Sequence, residues 1–169
     1  MNTVMGPPKP DFTPNVFHAF AKLPVISELV FRVANFPARG MEFSQGDRSS
    51  LAGDVGRAYR WVLRNRLTNG APLAMARMVP DSMGHPSIPA LQRCEAWVGQ
   101  FSGPAALVWG ERDPILGRVK NRLHRLLPHA QVTTTQAGHF LQEEVPREIA
   151  EAIRSVTREV LSFRAQTKS

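Results

Sequence analysis

Apolar residues recur at helical spacing in four short stretches of the first hundred residues: Phe12, Val16, Phe17 and Phe20; Ile26, Leu29, Val30 and Val33; Val55, Tyr59, Val62 and Leu63; and Ile88, Leu91, Cys94 and Val98. Steps of three and four put such residues on one face of a helix, so the pattern predicts short helices. Pro24, Pro37, Gly40, Gly70, Pro72, Pro80, Gly84 and Pro86 punctuate them, which points to a layer of short helices rather than one regular bundle. Near Ser102 and Gly103 the pattern changes. Residues 105–109 form a wholly apolar run, as in a strand buried on both faces, and 131–135 form a second run rich in β-branched residues. Leu116, Val119, Leu123 and Leu126 share a helical face between the runs; Ile149, Ile153, Val156 and Val160 share one after them. Strand, helix, strand, helix predicts an α/β arrangement of two parallel strands with a crossover helix and a covering helix.

Composition narrows the class. The chain has 169 residues, 43% of them hydrophobic, enough for an ordinary globular domain with a core. Cys94 is the only cysteine, so no intrachain disulfide forms, and a cytoplasmic location is expected. Its position on one helical face with Leu91 and Val98 argues against a nucleophilic thiol. No apolar run approaches the roughly 20 residues a membrane helix needs, and Met1, Asn2 and Thr3 do not open a basic, then apolar, leader. The net charge of +7 raises the question of a nucleic-acid partner. The densest cations, Arg57, Arg60 and Arg64, then Arg118, Lys120, Arg122 and Arg125, lie on amphipathic segments and read as solvated faces. Neither a nucleic acid nor a membrane is expected as a partner, and no metal or cofactor is expected.

The chemistry lies where the strands end. Asp113 follows the first strand and His139 the second, and parallel neighbours lie only about 4.8 Å apart. Residues just past the carboxyl ends of neighbouring strands converge on one crevice. A carboxylate beside an imidazole holds the ring in one tautomer and stabilises the imidazolium, the orienting and base roles of a triad. Each residue also has a structural reading: Asp113 before Pro114 fits a helix N-cap with a first-turn proline, and a single histidine is commonly a satisfied, partly buried one. Their joint placement favours the catalytic pair.

The segment PAALVWGERDPILG, followed by AGHFLQEEVPREIAEAI, resembles the C-terminal part of an α/β-hydrolase, most closely the haloalkane dehalogenase-like branch. The resemblance implies that Asp113 is the triad acid and His139 the base, and that Glu143 and Glu144 sit in the loop and helix start behind the histidine, where acids complement a helix dipole. It implies a fold of short parallel strands with covering helices plus an α-helical cap. Residues 1–9 would then be the end of a core strand and the way into the cap, 10–102 the cap, and 103–169 the last part of the core. Some members carry the acid at the earlier strand end, where this chain has Asn2 and Thr3.

The family also needs a nucleophile on a sharp strand-to-helix elbow, and oxyanion or halide donors. Neither is found in this sequence; GQFSG, residues 99–103, has the wrong spacing. The expectation is therefore the cap and acid–base half of a hydrolase that cleaves a carbon–halogen or ester-type bond in a small apolar organic substrate. It would be inactive alone, with a complementary N-terminal half or self-association as its partner. Trp61 is the candidate substrate-binding residue; Trp61 and Trp97 are the only cap indoles, and packing is the commoner role for both. Tyr59 is the only tyrosine, which disfavours an epoxide hydrolase that relies on two. The alternative is a non-catalytic remnant or helical binding module.

Overall fold

The computed structural model describes residues 2–9, 11–12, 16–36, 38–65 and 69–166. Contacts divide the chain into two compact units. One comprises 1–5, 44–50 and 96–169; the other comprises 6–43 and 51–95. This division differs from the boundary expected at 102/103, most visibly because 44–50 leaves its helical neighbours. The cause is a set of hydrogen bonds from that segment to the loop carrying His139, described below.

The helical unit contains α1 (Val16–Lys22), α2 (Ile26–Glu28) continuing through a π-turn at Leu29–Val33, α3 (Gly53–Val62) and α4 (Gly70–Met78), and it includes the start of α5 (Ile88–Gly99). Part of the first predicted helix, 13–15, lies outside the described residues. Its core is Ala21, Phe31, Leu73 and Ala76, with Phe20 packed against it. Phe20 and Phe36 meet the Phe31 ring at centroid distances of 6.1 and 5.7 Å. Arg77 links the helices, donating to Ala21 O, Glu28 Oε1 and the buried Ser27 hydroxyl. The sequence pattern missed α4, because Gly70 and Pro72 read as punctuation. Proline is compatible with a first helical turn, where its missing N–H has no intrahelical partner anyway.

In the other unit, β1 (Ala106–Gly110) pairs in parallel with β2 (Gln131–Thr135), in register from Ala106↔Gln131 to Gly110↔Thr135. The connection runs through a 3-10 turn at Gly117–Val119 and α6 (Lys120–Leu126). Side chains of β1 alternate between two apolar layers, as the pleat requires. Leu107 and Trp109 pack with Val98, Leu123 and Ala130, while Val108 packs with Ala137 and Leu141, backed by Val145, Ile149 and Ala152. That second layer comes from α7 (Leu141–Glu144) and α8 (Pro146–Gln166). The expected burial of β1 on both faces is observed, whereas β2 is an edge strand with mostly exposed side chains. On α8 the inward line runs through Ile149 and Ala152, so Ile153, expected on the buried face, is 61% exposed. Cys94 is exposed as well, contrary to its expected place on a buried helical face.

Candidate functional site

The site begins where β1 stops. Glu111 N and Arg112 N donate to Thr135 O and Ala137 O at 3.0 and 3.1 Å, which binds the loop after β1 to the end of β2. The Thr135 hydroxyl strengthens this junction, donating to Trp109 O and accepting from Ala137 N. Beneath it, Trp109 is fully buried with its indole N–H on Gly117 O at 2.9 Å. Two short loops are thus fixed side by side, one carrying Asp113 and the other His139.

The Asp113 side chain is 0% exposed, yet both carboxylate oxygens are occupied. Oδ1 accepts from Ile115 N at 2.7 Å and Leu116 N at 3.1 Å. Oδ2 accepts from Asn2 Nδ2 at 2.7 Å and lies 2.9 Å from His139 Nδ1. Burial is the largest single influence on this carboxyl group and pushes its pKa up. The donors, His139 first, then Asn2, Leu116 and Ile115, together outweigh it and hold the group below its ordinary value. The helix N-cap expected of Asp113 is not formed, because the helical segment starts only at Gly117; Oδ1 instead caps the turn at 114–116, and Oδ2 is left to meet His139.

The His139 side chain is 27% exposed and meets the Phe140 ring edge-on at 5.3 Å. With a carboxylate against Nδ1, the ring proton sits on Nδ1 and the lone pair on Nε2. Among the described residues Nε2 makes no hydrogen bond, so it is the nitrogen available to take a proton.

Asn2 is the residue that the sequence pattern did not find. In the sequence it marks only the position where some family members carry the acid, at the expected end of a core strand. Residues 2–5 form no strand. Instead the Asn2 side-chain amide imitates one, accepting from Gly110 N at 2.9 Å and donating to Gly110 O at 3.1 Å, and also reaches Asp113. Trp61 and Trp97 do not pack into a core: they are 61% and 65% exposed. Trp61, in the helical unit, carries the Arg64 guanidinium 4.0 Å above its ring, and Trp97 meets the Phe101 ring at a 37° tilt, centroids 5.5 Å apart. Glu144 holds loop backbone rather than merely flanking a helix start, as detailed below. Among the described residues no three His, Cys, Asp or Glu side chains gather as a metal site needs.

Parallel strands whose carboxyl ends carry an acid and a hydrogen-bonded histidine, with helices on both faces of β1, define a partial α/β-hydrolase fold. No family model matches the chain. It is 29% identical over 149 residues to a haloalkane dehalogenase of Mycolicibacterium paratuberculosis, covering 85% of this chain and 46% of that protein. It is 34% identical over 88 residues to haloalkane dehalogenase 1 of Mycobacterium tuberculosis, covering 48% of this chain and 28% of the relative. Among solved structures it superposes on a loop variant of the haloalkane dehalogenase DbeA from Bradyrhizobium elkanii, with TM-score 0.72, 20% identity, and 90% and 50% of the two chains covered. A variant of the haloalkane dehalogenase DatA from Agrobacterium tumefaciens gives TM-score 0.67 and 21% identity, covering 83% of this chain and 50% of the other. The chain is related to the haloalkane dehalogenases of the α/β-hydrolase superfamily. It spans about half the length of the relatives that it matches over most of its own.

Proposed function

We propose that this chain supplies the acid–base machinery of a dehalogenase-type hydrolase acting on small apolar organic substrates. The observation that carries this reading is the 2.9 Å contact between His139 Nδ1 and the buried Asp113 carboxylate. In the proposed reaction, a carboxylate nucleophile supplied from outside this sequence displaces halide and becomes an ester. His139 Nε2 removes a proton from water, the resulting hydroxide attacks the ester carbonyl, the tetrahedral adduct expels the alcohol and restores the carboxylate, and the imidazolium gives its proton to solvent. Asp113 keeps Nδ1 protonated and stabilises the transient imidazolium.

The test is reconstitution. The chain is co-expressed with the portion of its M. paratuberculosis relative that it does not cover, and halide release from short haloalkanes is followed. We expect turnover from the pair, none from the chain alone, and loss of turnover on His139→Ala. Turnover by the pair that survives His139→Ala overturns the assignment. Turnover by the purified chain alone that His139→Ala abolishes shows that the nucleophile lies within these 169 residues. A folded pair without turnover favours the non-catalytic alternative.

A further inference from the structure

The three consecutive backbone N–H groups around the base each have an acceptor. Gly138 N donates to Glu144 Oε1 at 2.8 Å, His139 N to Ser44 O at 2.8 Å, and Phe140 N to Gln45 Oε1 at 2.8 Å. The acceptors are themselves held. Glu144 also accepts from Gly46 N at 3.1 Å and Asp47 N at 2.7 Å, and Gln45 Nε2 donates to Phe140 O at 3.3 Å and to the Ser50 hydroxyl at 3.0 Å. Gln45 is buried, at 7% exposure. The two backbones touch without side chains between them. A Cβ on Gly46 would lie 2.2 Å from Gln136 O, and one on Gly138 would lie 2.2 Å from Ser44 O, closer than real Cβ atoms come.

We infer that Glu144 and Gln45 are positioning residues for His139, clasping segment 44–47 to the backbone at 138–140 so that the imidazole stays seated on Asp113. Their hydrogen bonds go to the peptide units on either side of the ring, and they act through these. The acidic position after the histidine thus has a geometric purpose, because one carboxylate accepts from both segments at once, and its charge strengthens those bonds. An imidazole displaced by even about 1 Å would cost catalysis heavily. The inference rests on the reading of His139 as the base.

The test uses the full chain, labelled at histidine and at the backbone. It reads the hydrogen-bonded His139 Nδ1 proton by NMR and the amide exchange of Gly138, His139 and Phe140. Glu144→Ala and Gln45→Leu are each expected to broaden away the Nδ1 proton and to speed those amides at least tenfold, with the amides of β1 and β2 unchanged. Glu144→Gln keeps the shared Oε1 acceptor but sets an N–H against Asp47 N, so an intermediate response is expected. A role in packing alone predicts that the glutamine variant behaves as wild type. Wild-type signals in both Glu144→Ala and Gln45→Leu overturn the inference. If Glu144→Ala loses β1 and β2 protection, Glu144→Gln and Gln45→Leu decide by the same readings. A wild-type chain without the Nδ1 proton overturns the base reading instead, which separates the two failures.

Discussion

Asp113→Asn changes one atom and tests the site at its centre. The Oδ1 position must remain an oxygen, because Ile115 N and Leu116 N both point at it. The new amide nitrogen therefore takes the place of Oδ2, facing Asn2 Nδ2 and His139 Nδ1. His139 adapts by moving its proton to Nε2, so that Nδ1 accepts. Asn2 cannot turn, because its amide is held by both Gly110 N and Gly110 O. One buried donor is left facing another, at a cost of about 1–3 kcal/mol, while removal of a desolvated charge offsets part of it. We expect a folded protein destabilised by about 1–2 kcal/mol, with neutral His139 switched from the Nδ1–H to the Nε2–H tautomer. Long-range 1H–15N correlation of the imidazole reads the tautomer, and urea unfolding followed through β1 and β2 amides reads the stability. In the reconstituted enzyme the same switch removes the lone pair from Nε2 and should lower kcat by roughly 10⁴, the scale seen when a triad acid becomes an amide. An Asp113→Asn protein whose neutral His139 still carries its proton on Nδ1 refutes the reasoning.

Because the Asp113 carboxyl is held below its ordinary value of 3.8, the unfolded chain binds that proton more tightly. The stabilisation it gives is complete above that ordinary value and is lost as pH falls through the folded one; acid titration of the urea midpoint should show this slope in the wild type and a shallower one in Asp113→Asn, and equal slopes refute it. Asn2→Ala removes two hydrogen bonds to Gly110 and one to Asp113, so it should destabilise the unit by about 1–3 kcal/mol and raise the Asp113 carboxyl pKa; carboxyl 13C titration checks the direction. Ile153, Leu161 and Phe163 on α8 are each about 60% exposed. Concentration-dependent association is expected from such exposed apolar side chains, Ile153 first, and sedimentation that stays monomeric and unchanged on Ile153→Asp refutes it.

What the sequence made legible follows from how local each cause is. The apolar run through Leu107, Val108 and Trp109 has to be a doubly covered strand, and the β-branched run at 131–135 has to extend, so the placement of Asp113 and His139 at adjacent ends followed from them. Burial of β2 did not follow, because exposure depends on what lies beyond an edge. Cys94 and Ile153 show the same limit: a helical repeat identifies a face to within a residue, and packing then selects the line. Asn2 and Gln45 were invisible because their partners lie 108 and 95 positions away, and a lone amide side chain carries no periodicity. Glu144 reads in the sequence as an acid near a helix start, a local explanation blind to its long-range partners at Gly46 and Asp47.

The division of labour between the two oxygens of Asp113 has an evolutionary consequence. Oδ1 builds the turn after β1, so selection for folding alone disfavours loss of an aspartate there, whether or not the chain takes part in any reaction. His139 has no such insurance: its backbone makes the loop contacts, and its ring is free to be replaced once the chemistry is unused. Across a set of homologues drifting away from catalysis, substitutions should appear first at 139 and only later at 113. The state of the histidine, rather than that of the acid, then dates the loss of activity in a lineage.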